Sequence, residues 1–116
     1  MTLQEFYHQV GGSYQDVLAR IPSEQMILKF VRMYEQDTSF TQLADAAASG
    51  LWTDAFRAVH TLKGVAQNLG FETLQKAAFT LTEALRPGNP LADPALLEQV
   101  RSAHEQVMCA LRQLDA

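Results

Sequence analysis

Apolar residues recur three and four positions apart along most of this chain, and that spacing predicts helices. Leu3, Phe6, Tyr7 and Val10 share one side of a short helix over residues 2–10, which Thr2 can cap and Gly11-Gly12 ends. Ser13 can open a second short turn through Leu18. It closes at Ile21-Pro22, because the residue before a proline is pushed out of the helical region. Ser23 then caps a firmer helix to about Gln36, with Ile27, Phe30, Val31 and Tyr34 as its stripe. Asp37, Thr38 and Ser39 break that pattern and offer caps for a helix striped by Phe40, Leu43, Ala44 and Ala47 and ended by Ser49-Gly50.

The longest pattern starts near Leu51 or Trp52, with Trp52 as a packing anchor, and carries the stripe Ala55, Val59, Leu62, Ala66 and Leu69. Gly70 suits a left-handed cap that turns the chain into a helix from about Phe71 to Arg86. There Leu74, Ala77, Ala78, Leu81 and Leu85 should face the central helix. Pro87-Gly88-Asn89-Pro90 is the clearest loop, and Asp93-Pro94 combines an N-cap with a proline at the first helical position. Leu97, Val100, His104, Val107, Leu111 and Leu114 follow at bundle spacing, which makes His104 a packing histidine. No segment alternates with period two. The expected fold is all-α: an antiparallel up-down four-helix bundle over about residues 38–115, with additional short N-terminal helices over about 2–36 laid against it.

Composition adds bounds rather than chemistry. At 116 residues, with 47% hydrophobic and 19% charged content, the chain fits one domain, 1–116, with its own core. A net charge of −4 and a pI near 5.2 argue against a nucleic-acid surface, and no basic run appears. Cys109 stands alone, so neither a disulfide within the chain nor a cysteine metal framework is expected. No apolar run approaches a membrane span and the start Met-Thr-Leu-Gln-Glu has no leader pattern, so a cytoplasmic monomer is expected. His8, His60 and His104 share no ligand spacing, so no metal site is expected. The lack of a glycine-rich nucleotide loop speaks against kinase activity.

The chemistry gathers on the polar side of the central helix. At about 100° per residue, His60 lies roughly 140° from the middle of the apolar stripe and should face solvent. Thr53, Phe56, Arg57, Lys63, Gly64, Gln67 and Phe71 fall within about 60° of it on the same wheel. This face holds an imidazole, two cations, an amide, two phenyl rings and a glycine. Gly64 is the most telling, since a glycine inside a helix costs about 1 kcal/mol relative to alanine. The usual reason is close approach by another molecule, and an anion placed on the imidazole would find Lys63 within reach.

The run His60-Thr61-Leu62-Lys63-Gly64-x-Ala66-x-x-Leu69-Gly70 resembles the signature of histidine-containing phosphotransfer (HPt) domains, the His-to-Asp relay modules of two-component signalling. The resemblance implies a phosphoryl carrier rather than an enzyme: His60 accepts a phosphoryl group from a receiver-domain aspartyl phosphate and passes it to another receiver aspartate. Lys63 would stabilise the phosphoryl charge, Gly64 would leave room for the partner, and Gln67 would add a hydrogen bond. From their place on the wheel rather than from the resemblance, Phe56 and Phe71 either tuck against a neighbouring helix, the commoner fate of a phenyl ring, or, if exposed beside His60, form with Arg57 and Asn68 the surface that binds the partner. The implied partners are response-regulator receiver domains and a sensor or hybrid histidine kinase. No cofactor would be bound by this chain, with Mg2+ on the partner receiver. Many family members carry an acidic or amide residue on the next helix to support the imidazole; here Thr82 and Glu83 occupy that place. The alternative is a non-phosphorylated helical adaptor docking receiver or kinase domains through the same face.

Overall fold

A computed structural model describes residues 1–86 and 88–115 of the chain. Of the expected loop, Pro87 lies outside the described residues, as does Ala116 at the end of the expected domain. Among the described residues all regular structure is helical: α1 (Leu3–Gln9), α2 (Tyr14–Arg20), α3 (Glu24–Met33, continued by a 3-10 turn Tyr34–Gln36), α4 (Ser39–Ala48), α5 (Trp52–Leu69), α6 (Glu72–Leu85) and α7 (Pro94–Gln113). The ends follow local chemistry. Thr2 and Glu5 form a reciprocal capping box on α1, and Ser13, Ser23 and Asp93 accept backbone N–H bonds at the starts of α2, α3 and α7.

Helices α4 to α7 form the up-down bundle. Each packs on the next, and α7 closes back on α4 where the His104 ring stacks on Phe40 at 4.4 Å between centroids. The core draws on every helix, from Leu3 and Phe6 to Leu111 and Leu114. Two stripes sit differently from their sequence pattern. In α4 the buried positions are Ser39, Phe40, Leu43 and Ala46, while Ala44 and Ala47 are only half-buried, because the helix lies between two neighbours. In α6 Thr82 joins Leu74, Ala78, Leu81 and Leu85 inside.

The N-terminal helices fix the far end of α5. Gly70 adopts the left-handed conformation, φ 77°, that stops this helix. Carbonyls left free by that stop are met from the N-terminal segment: Tyr7 donates its hydroxyl to Leu69 O at 2.7 Å, and Arg20 donates to Asn68 O at 3.3 Å. A Cβ at Gly12 would meet Gly70 O at 2.2 Å, so the turn between α1 and α2 can sit here only without a side chain. Helix α3 is tied to α7 by Arg32, which donates to Leu111 O and Leu114 O at 2.8 and 2.6 Å. Tyr34, at the end of α3, pairs with His104 Nδ1 at 2.7 Å. The packing role expected for His104 matches this placement. No helix among the described residues is long and apolar enough to cross a membrane.

Candidate functional site

Helix α5 buries Ala55, Ala58, Val59, Leu62 and Ala66, and this puts the opposite side, with His60, in solvent. Gly64, one turn on, leaves open space: apart from its chain neighbours and its own helix backbone, an added Cβ would find no heavy atom within 4 Å. Its absence of a side chain is therefore not a packing requirement of this fold. Lys63 is half-buried beside it, its ammonium 5.7 Å from the centre of the Phe79 ring of α6. No carboxylate pairs with Lys63 among the described residues, which leaves the ammonium free to meet an incoming anion.

One turn before His60, the half-buried Phe56 lays its ring nearly parallel to the imidazole, with centroids 6.1 Å apart and 16° between planes. The Arg86 guanidinium, at the end of α6, sits over the Phe56 ring at 5.4 Å. The pairs Phe56–Arg86 and Lys63–Phe79 share one antiparallel register of α5 and α6. That register brings Thr82 opposite His60.

The expected site residues do not all converge there. Phe71, placed on the His60 face by the wheel with docking and packing both open, is fully buried and packs edge-to-face against Phe6 and Tyr34 at 5.8 and 5.4 Å, so it is not a partner contact. The helical wheel does not extend past Gly70: the left-handed turn ends α5, and Phe71 is swung into the core at the start of α6. Thr82, expected to support the imidazole, is fully buried and donates its hydroxyl to Ala78 O at 2.7 Å. It is drawn inward by its place on the core side of α6. Glu83 is exposed and pairs with Arg86 at 3.5 Å, and Arg57 is held loosely by Asp54 at 4.0 Å.

Gln67 and Asn68 part company. Gln67 lines a groove of about 420 Å³ with Lys63, Lys76 and Phe79. Asn68 lines a separate groove of about 750 Å³ with Val65, Phe30 and Met33, on the side of α5 facing α3. Phe79 and Arg86 were not singled out by sequence. Phe79 could have been, since it falls off the apolar stripe of α6 and is 50% exposed. Arg86 could not, because its relation to Phe56 depends on how two helices pair. Among the described residues no three His, Cys, Asp or Glu side chains gather as metal ligands would.

The arrangement is an accessible imidazole, a cation without a carboxylate partner among the described residues one turn away, and an open backbone face beside them. The family model described as "Hpt domain" matches residues 26–109 of the chain. No curated protein and no solved structure gave a match.

Proposed function

The chain belongs to the Hpt domain family, whose members carry phosphoryl groups on histidine in phosphorelays, and on that premise we propose that His60 is the phosphoryl acceptor and donor here. A neutral imidazole is a competent nucleophile near neutral pH. A ring nitrogen attacks the phosphorus of an aspartyl phosphate on a receiver domain. The bond from phosphorus to the carboxyl oxygen breaks, and its electron pair leaves with the carboxylate. The other ring nitrogen keeps its proton, so the product is a phosphoimidazolium. The reverse reaction with a second receiver's aspartate passes the group on. Such a carrier is not itself an enzyme, and the receiver brings the Mg2+ that neutralises the phosphoryl oxygens on its side.

The observation that carries this reading is the open face at Gly64 beside an exposed His60. A receiver's active site must bring its aspartyl phosphate into contact with the imidazole, and a side chain at residue 64 would stand in the way. Lys63 gains its use in the transition state, where charge spreads over the phosphoryl oxygens. Phe79, half-exposed beside Lys63, offers an apolar contact rimmed by polar groups, as a docking surface requires. Arg57, exposed on the other side of His60, adds a polar contact to that surface.

The test is incubation with phosphorylated receiver domains, followed by a search for acid-labile, base-stable phosphate on this chain. Transfer should occur with at least one receiver, and His60→Gln should abolish it. Binding of a receiver without any transfer would leave only the adaptor reading.

A further inference from the structure

His60 has no hydrogen bond to either ring nitrogen among the described residues, although a carrier must aim one of them. Thr82, the residue that the helix register sets across from it, has spent its hydroxyl on Ala78. Something else must hold the ring. Among the described residues the aromatic ring paired with it is Phe56, in an offset stack with centroids 6.1 Å apart and 16° between planes. Phe56 is in turn held on two sides: its ring packs against the core, and the Arg86 guanidinium, anchored by Glu83 at 3.5 Å, covers it at 5.4 Å.

We propose that Phe56 is a positioning residue for His60, setting the plane of the imidazole by stacking where a hydrogen bond from α6 is lacking. The inference rests on the phosphoryl-carrier reading and deepens it. Stacking suits the task because the nucleophilic lone pair lies in the plane of the imidazole. A phenyl ring on one face restrains rotation and leaves the edge that attacks phosphorus uncovered. Arg86 acts one step further back, keeping the phenyl ring in place. A docking role for Phe56 would predict a different kinetic signature, since docking changes how tightly a partner binds and aim changes how fast the bound pair reacts.

The experiment compares wild type, Phe56→Leu and Phe56→Tyr in single-turnover transfer from a phosphorylated receiver over a range of receiver concentrations. Phe56→Leu should slow the saturating rate about three- to tenfold, with the half-saturating concentration within about twofold of wild type. Phe56→Tyr, which keeps the ring, should restore the rate to within about twofold. Phe56→Met takes the place of Phe56→Leu if that variant unfolds. NMR of the histidine side chains reads the stack without any phosphoryl transfer. The His60 ring-proton signals should move in Phe56→Leu, and their cross-relaxation with the Phe56 ring protons should be present in wild type, while the backbone spectrum is otherwise kept. A change in half-saturating concentration alone, wild-type kinetics, or unmoved His60 ring signals would each overturn the proposal. If wild type accepts no phosphate from any receiver, the carrier reading fails instead, and the NMR arm still decides whether the stack exists.

Discussion

Adding a side chain at Gly64 should raise stability and lower transfer, two effects of opposite sign from one substitution. In Gly64→Ala the new methyl group meets nothing within 4 Å, so no packing cost opposes the gain in helix propensity. That gain is about 1 kcal/mol for glycine to alanine inside a helix. For a chain of 116 residues it corresponds to a rise of roughly 4 °C in Tm. Gly64→Gln should gain somewhat less, about 0.5 kcal/mol or more, since glutamine is also a good helix former. Transfer should fall with side-chain size. Alanine projects one carbon into the approach, whereas glutamine can displace the incoming phosphoryl group by an ångström or more, enough to cost about ten- to a hundredfold. Thermal unfolding by circular dichroism measures the first effect, and single-turnover transfer from a phosphorylated receiver measures the second. A Tm below wild type in Gly64→Ala would show that the glycine serves packing. Transfer by Gly64→Gln within twofold of wild type would show that the partner does not approach across this face.

Thr82→Val removes the buried hydroxyl while keeping its shape. Transfer should stay within about twofold of wild type, and stability should change by no more than about 1 kcal/mol, since the Ala78 carbonyl loses only a supplementary bond. A large drop in transfer with the fold intact would restore Thr82 as support for the imidazole. Burial lowers His104 below its ordinary 6.5, outweighing the upward pull of Glu105 and Asp37, so the unfolded chain takes up this proton first as pH falls. Its contribution to stability is therefore complete above about pH 6.5 and is lost progressively below it, until the folded ring protonates as well. Urea midpoints measured from about pH 7.5 down to 5.5 should decline, and His104→Gln should flatten that decline.

Much of the molecule was legible along the chain because its signals are local. Capping residues at Thr2, Ser13, Ser23 and Asp93 and the stop at Gly70 act within a turn of themselves, and the observed helices begin and end within a residue or two of the expected limits. The outward placement of His60 was legible for the same reason. A helix of fixed pitch converts sequence spacing directly into angle, so the apolar stripe of α5 determines which residues must face away from the core.

What sequence could not decide depends on two elements meeting. The pitch of α5 puts Phe71 on the His60 face only if it is extended past Gly70, whose left-handed backbone ends the helix; its place is set by Phe6, Tyr7 and Tyr34 arriving from helices far earlier in the chain. Thr82 needed the choice between a core and a site position on α6, which only the pairing of α5 with α6 makes. The rings and cations around His60, Phe56 under Arg86 and Lys63 over Phe79, likewise exist only in that register. Periodicity along one helix fixes which residues point outward; which of them become neighbours is settled by packing between helices, where burial of apolar surface outweighs any local preference.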